Sequence, residues 1–341
     1  WLSELAPGSR LSLYVHVPFC DTLCWFCGCH TKITRKYKPI AAYLESLIAE
    51  ARHVAAALPA GVEVGQIHWG GGSPTILEAD DVRRLAGELA SALPQSAAPE
   101  FAVEVDPRGL SAGQIAAFAA SGLTRVSIGV QDFDPAVQKA INRNQSYEET
   151  EAVISQFRAA GIGSINIDAI YGLPGQHEAQ LRRTLDRILD LAPDRISLFG
   201  YAHVPWMKRH QAMIPEADLP DAVERHAHAE LAARIFVEAG YVRIGLDHFA
   251  RQSDAMAVAM REGRLTRNFQ GYTVDPSDAL IGLGASSIGR LPQGYVQNIT
   301  PIAGYATAIA HEGLATARGY ALTREDRVRA RLIERLMCNF E

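Results

Sequence analysis

The sequence predicts an α/β fold of six strand–helix units, arranged as an open three-quarter (β/α)6 barrel or as a doubly wound sheet. Two observations predict it. Short runs of β-branched and aromatic residues alternate with longer Ala/Leu/Arg/Glu stretches of helical period up to about Pro205, the pattern of parallel strands joined by crossover helices. Six such units are fewer than the eight that close a full barrel, so the sheet stays open.

The strands are LSLYVHV, QIHWG, FAVEV, RVSIGV, SINIDAIYG and RISLFGYA. Between them lie the helical stretches AAYLESLIAEARHVAAAL, ADDVRRLAGELASAL, SAGQIAAFAAS, YEETEAVISQFRAAG and EAQLRRTLDRILDLA, each ending near the Gly or Pro that stops a helix. Beyond Pro205 the pattern changes to a long Ala-rich helix over 220–240, a strand YVRIGLDHF, a glycine-rich run IGLGASSIG and two further helices. The expected units are therefore a barrel core at 1–205, a barrel-edge extension at 206–300 and, at 301–341, the start of a helical domain. A first residue of Trp1 and a last residue of Glu341 inside a helical pattern make a fragment the expectation.

With 341 residues, 48% of them hydrophobic and 21% charged, the chain buries a core without disulfides. Its 33 basic and 38 acidic residues carry a net charge of -5 with no long run of one sign, which argues against nucleic acid as the main partner. No stretch approaches the roughly 20 apolar residues of a membrane helix, and WLSELAPGSR lacks a signal-peptide pattern, so the expectation is a cytoplasmic protein with no membrane partner.

Four of the five cysteines, Cys20, Cys24, Cys27 and Cys29, crowd into YVHVPFCDTLCWFCGCHT directly after the first strand. Active sites of β/α barrels lie at the C-terminal ends of the strands, and thiols this close point to metal rather than disulfides. A structural zinc site would normally draw a second ligand pair from a distance. Three thiolates at x3/x2 spacing instead suit three irons of a [4Fe–4S] cube, leaving the fourth open to a small molecule. This spacing resembles the radical S-adenosylmethionine (SAM) superfamily. Cys29 then reads as a fourth ligand in an inactive state, a donor beside the cluster or a participant near the substrate. Cys338 sits in an apolar helical run and reads as a buried small hydrophobe.

HWGGGSPT follows the second strand, and its glycines let backbone carbonyls approach an ammonium group. Polar residues recur at later strand ends: Glu104, Gln131, Asp168 and the pair Ala202–His203. A carboxylate there caps a ribose diol, whereas Asp106 before Pro107 also suits a turn and Asp132 a helix cap. His16 and His203 flank these motifs. His226 and His228, two apart on a helix, cannot form a metal pair and read as surface histidines.

Along its whole length the chain resembles the oxygen-independent coproporphyrinogen III oxidase family, through CWFCGCH, EVDPR, GVQDF, NIDAIYGLP, GYAHVP, GLDHFAR and RNFQGYT in that order. The resemblance implies the open (β/α)6 barrel, with Cys20, Cys24 and Cys27 holding the cluster beside two SAM molecules. It implies SAM contacts at Tyr14, Phe26, Gly71, Gly72, Ser73, Glu104, Gln131, Arg143, Asp168, Ala202 and Ile288, Ser73 keeping the hydroxyl of a threonine. The implied reaction turns two propionates of a tetrapyrrole into vinyl groups by a 5′-deoxyadenosyl radical, in a monomer served by a flavodoxin- or ferredoxin-type electron donor and by an electron acceptor. Four substrate carboxylates require cations, for which Arg35, Arg251 and Arg267 are candidates, with Phe269 and Gln270 lining the same mouth. The alternative is a haem chaperone or haem-processing protein on the same fold; Cys29, GLDHFAR and NFQGYT favour the oxidase.

Overall fold

The six strand patterns all form strands, and their alternation decides what the barrel holds. A computed structural model describes residues 1–269 and 271–339, so Gln270 lies outside the described residues. β1 (Arg10–Val17) leads into two short strands, β2 (Phe19–Cys20) and β3 (Lys32–Ile33). Then come α1 (Lys38–Ala57), β4 (Glu63–Gly71), α2 (Ala79–Ala92), β5 (Gln95–Val105), α3 (Ala112–Ala120), β6 (Arg125–Gln131), α4 (Pro135–Ala140) and α5 (Tyr147–Ala159). β7 (Ser164–Tyr171), α6 (Glu178–Asp190), β8 (Arg195–Gly200) and α7 (Ala222–Glu238) complete six units. β1, β4, β5, β6, β7 and β8 pair in that order, all parallel.

Successive residues of a strand face opposite sides. On β6, Val126, Ile128 and Val130 are buried in the core, where Phe118, Ile154 and Phe157 of the helices also lie. The other parity, Arg125, Ser127, Gly129 and Gln131, faces the barrel interior, as do Asn166 and Asp168 of β7 and Arg195, Ser197 and Phe199 of β8. The wall is therefore apolar outward and polar inward. Helix starts follow ordinary capping chemistry: Ser111 and Gln114 form a reciprocal capping box on α3, and the Asp221 side chain accepts from Val223 and Glu224 N–H on α7.

Three expectations change beyond β8. The helix at 222–238 packs on α6 and on β9 (Tyr241–Ile244), which makes it the barrel's sixth crossover helix rather than part of a separate extension. YVRIGLDHF is not one strand but a hairpin of β9 and β10 (His248–Arg251), because Gly245 adopts φ +56° and reverses the chain; β10 pairs antiparallel to β8. After α8 (Ala255–Arg261), β11 (Thr266–Asn268) and β12 (Gly271–Thr273), the glycine-rich run forms β13 (Ala279–Leu283), a seventh parallel strand beside β1. It folds back to β14 (Ile288–Leu291) where Gly284 takes φ +99°. β15 (Gly294–Asn298), α9 (Ile302–Glu312), β16 (Thr316–Ala321) and α10 (Arg324–Asn339) follow. β13 to β16 extend the same twelve-stranded sheet, which runs unbroken across residues 205 and 300.

The tail is fastened at two places. Glu50 of α1 is buried and accepts hydrogen bonds from Gly284 N (2.6 Å), Asn298 Nδ2 (2.5 Å) and Tyr305 Oη (2.7 Å), joining α1 to β13, β15 and α9. Cys338 of α10 is buried in a cluster with Ile244, Ala250, Met256 and Tyr272, and Tyr272 Oη donates to Met337 O (2.9 Å).

His228 corrects a further sequence expectation. His226 is exposed, but His228 is 1% exposed on the face of α7 that packs inward, and neither ring nitrogen has a hydrogen-bond partner. Burial lowers its pKa. A neutral buried histidine gives up stability as pH falls below its ordinary 6.5, because the unfolded chain then takes up the proton. His228→Leu is expected to raise stability by about 1 kcal/mol at pH 8, from removal of an unsatisfied polar group, and by more at pH 5; chemical denaturation at both values checks it.

Candidate active site

The cysteine loop leaves β1 at the top of the barrel and is shaped by hydrogen bonds from three directions. β3 pairs with β2 alongside Cys20, and Thr31 Oγ1 donates to Cys20 Sγ (3.3 Å). From the α4–α5 connection, Asn142, in the left-handed region at φ +55°, donates its Nδ2 to Leu23 O (2.8 Å), while Trp25 N donates to Ile141 O (2.9 Å). From the turn after β8, Gln211 Nε2 donates to Phe26 O (2.9 Å), His210 Nε2 to Cys27 O (2.8 Å) and Lys208 Nζ to Cys29 O (3.1 Å). Five of the loop's backbone groups are thus held by protein partners, which fixes where its thiols stand.

Cys24 is 8% exposed, and two guanidiniums reach its sulfur: Arg143 Nη1 at 3.6 Å and Arg108 Nη2 at 3.7 Å. Asp106 holds both arginines, Arg108 through two nitrogens (2.9 and 2.6 Å) and Arg143 at 3.3 Å, so the turn residue of EVDPR positions positive charge at the cysteines. Hydrogen bonding from Cys29 carries the Cys27 thiol down to about 6 against the opposing effect of burial, while that same pairing pushes Cys29 well up. Burial raises Cys20 to about 11. Among the described residues no three His, Cys, Asp or Glu side chains converge on a single ion. Cys20, Cys24, Cys27 and Cys29 instead stand around one cavity of about 410 Å³. Soft sulfur donors distributed in this way beside cationic groups fit a thiolate-held iron–sulfur cluster.

The same cavity runs down the barrel past Gly71, Gly72, Glu104, Gln131 and Asp168. Glycine is required at 72, where a Cβ would stand 2.6 Å from Phe19 O; at 70 a Cβ would stand 2.5 Å from the Glu104 carboxylate and displace it. Glu104 accepts from Gly71 N (3.1 Å) and bonds His68 Nε2 (3.1 Å); burial opposes its charge, yet His68 and the Gly71 amide hold its carboxyl below the usual range. Asp168 accepts from Ser127 Oγ (2.8 Å) and Asn166 Nδ2 (2.8 Å), and burial lifts its pKa. Gln131 ends β6 with φ +70°, a strained conformation that turns the chain at the cavity rim. At the floor, Arg195 Nε bonds both carboxylate oxygens of Asp254 (2.9 Å each), and Arg125 pairs with Glu100.

Of the residues expected from sequence, the cavity gathers Cys20, Cys24, Phe26, Cys27, Cys29, Gly71, Gly72, Glu104, Gln131, Arg143 and Asp168. Tyr14 stands behind it, its ring stacked on His68 at 5.9 Å, and Ser73 is buried against Thr75. Ala202 is exposed just past β8, and Ile288 lies on β14, beyond β13 from β1; neither lines the cavity. The expected cationic rim does not form there. Arg35 is exposed after β3, Arg267 lies over the Tyr272 ring (5.1 Å) beside a neighbouring 240 Å³ cavity, and Phe269 is exposed against Tyr295. Arg251 sits at the opposite end of the sheet, its Nε donating to Pro193 O (3.0 Å) before β8 begins. The arginines that do line the cavity are Arg108, Arg125, Arg143 and Arg195. Strand parity was the signal: Arg125 shares a face with Gln131, and Arg195 with Ser197.

The family model described as the Radical SAM superfamily matches residues 14–188. The oxygen-independent coproporphyrinogen III oxidase of Bradyrhizobium diazoefficiens is 53% identical over 340 residues, covering 100% of this chain and 76% of the relative. That of Escherichia coli K12 is 42% identical over 334 residues, covering 98% and 73%. The solved structure of coproporphyrinogen III oxidase from Escherichia coli, described as a radical SAM enzyme, superposes with a TM-score of 0.96 at 42% identity, over 99% of this chain and 78% of that one. The chain therefore belongs to the radical SAM superfamily and, within it, to the oxygen-independent coproporphyrinogen III oxidase family.

Proposed function

We propose that the protein converts coproporphyrinogen III to protoporphyrinogen IX in haem biosynthesis without oxygen. Each of two propionates becomes a vinyl group with release of carbon dioxide, one proton and two electrons. The observation that carries this reading is the sharing of one cavity by the thiols of a single loop and the inward polar residues of five strands. Cys20, Cys24 and Cys27 hold a [4Fe–4S] cluster, with Cys29 beside it as a hydrogen-bond donor to Cys27. When bound there, the cluster and SAM would supply the radical chemistry of the reaction.

The chain's own work is binding and orientation. The carbonyls of the glycine segment and the Glu104 carboxylate suit the ammonium and hydroxyl groups of one SAM. Asp168 and Gln131, two to three strands along, suit a second, and Arg143 neutralises charge between them. The polar, enclosed barrel interior keeps these ligands out of bulk water. Partners consistent with the site are a tetrapyrrole, a small acidic electron carrier of flavodoxin or ferredoxin type and a separate electron acceptor. We place the protein in the cytoplasm as a monomer; no helix among the described residues is long and apolar enough to cross a membrane.

The test is anaerobic incubation of the reconstituted full-length protein with SAM, a reductant and coproporphyrinogen III. Formation of 5′-deoxyadenosine together with vinyl product is expected. Tetrapyrrole binding without either product would favour a haem chaperone, and a methylated tetrapyrrole a transferase.

A further inference from the structure

GLDHFAR and the Gly271–Tyr272 end of RNFQGYT have no part in the cofactor arrangement above, yet the fold brings them together. His248 opens β10 and Asp247 precedes it; Asp247 Oδ1 lies 2.7 Å from His248 Nδ1. The imidazole is wedged edge-on between Phe199 (5.6 Å, 84°) and Tyr272 (5.2 Å, 81°). Gly271, at φ +124°, leaves open the space beside the other nitrogen: a Cβ there would stand 3.6 Å from His248 Nε2. His248 is 7% exposed and lines the same cavity as the cysteines.

A carboxylate on Nδ1 fixes the tautomer and aims Nε2–H outward. No hydrogen bond to Nε2 is formed by the described residues, whereas each arginine of the cavity already contacts a carboxylate: Arg108 and Arg143 share Asp106, Arg125 meets Glu100 and Arg195 meets Asp254. The surroundings are also unlike the cofactor side. Phe199, Met256 and Tyr272 make an apolar wall next to this one directed donor, which suits a flat apolar ligand with acidic arms, while the polar residues suited to SAM lie on β4 to β7.

We propose that His248, oriented by Asp247, binds a propionate carboxylate of the tetrapyrrole. The proposal rests on the substrate class assigned above. Its test uses the full-length reconstituted protein and coproporphyrin III as a fluorescent probe, with SAM binding measured separately and the iron–sulfur absorbance confirming an intact fold. His248→Leu is expected to weaken coproporphyrin III binding about tenfold, the size of one charge-assisted hydrogen bond. His248→Gln, which keeps an N–H donor, is expected to recover most of the loss, and Asp247→Asn to fall between. SAM affinity stays at the wild-type value, and in turnover the KM for coproporphyrinogen III rises more than kcat falls. Unchanged coproporphyrin III binding in both His248 variants, or a parallel loss of SAM binding, would overturn the assignment. A wild-type protein that binds the probe through His248 but forms no vinyl product upholds the contact and overturns the decarboxylation reading instead.

Discussion

Replacing Cys24 with alanine is expected to abolish the iron–sulfur absorbance and, with it, all 5′-deoxyadenosine formation, whereas Cys29→Ala keeps the absorbance. The difference follows from where the sulfurs stand. Cys24 is buried with two guanidinium groups directed at its sulfur. Without that sulfur, Arg108 and Arg143 share only Asp106 between them. Cys29 is exposed, and its amide and thiol both serve as donors to Cys27. Its loss removes a modifier of one ligand rather than a ligand. Iron content and visible absorbance of anaerobically purified variants decide the point: loss of iron in Cys29→Ala would mean that the cluster takes a fourth thiolate.

Asp254→Ala is expected to cost about 3 to 5 kcal/mol of folding stability, the range for breaking a buried ion pair by removing one partner. Arg195 and Asp254 are both nearly inaccessible, and Arg125 lies close enough for the Arg195 charge to lower its pKa, in addition to the larger effect of burial. Asp254 tempers that repulsion, and its Oδ1 also caps α8 through Met256 N (2.7 Å). Its removal leaves the Arg195 charge without its carboxylate beside Arg125 at the barrel floor, and α8 without its cap. Replacing both partners, as Arg195→Leu with Asp254→Leu, should recover much of the loss because no charge is then left unpaired. Urea denaturation of the three proteins measures it.

The barrel's strands and helices were legible because apolar residues recur with periods of 2 and 3.6 over long segments, and the cysteine loop because its spacing is dense and unusual. What lay hidden were features set by geometry between distant segments. Gly245 breaks a pattern that otherwise reads as continuous strand, and Gly284 turns the chain inside what reads only as a glycine-rich run; the positive φ at each reveals the reversal. Arg251 looked like a substrate ligand from its motif, yet as the last residue of an antiparallel strand it emerges at the end of the sheet away from the cysteines. Arg108, Arg125 and Arg195 were not singled out from the sequence at all, since composition says nothing of which strand face meets the interior. His228 misled for the same reason: spacing excluded a metal pair and said nothing of which helix face packs inward.

The pairing of β1 with β13 bears on how the molecule is made. Leu11 lies against Ala279, and Arg10 N donates to Asp278 Oδ2 (2.9 Å), so the strand that carries the cysteine loop gains its second neighbour only from the far end of the chain. Contacts of such long sequence separation close late and slow folding. During synthesis, β1 can pair with β4 once some seventy residues have emerged, but its other edge stays bare until β13 arrives. Between the emergence of β4 and that of β13 the cluster-loop strand is thus an open sheet edge, the kind of surface on which nascent chains pair with one another.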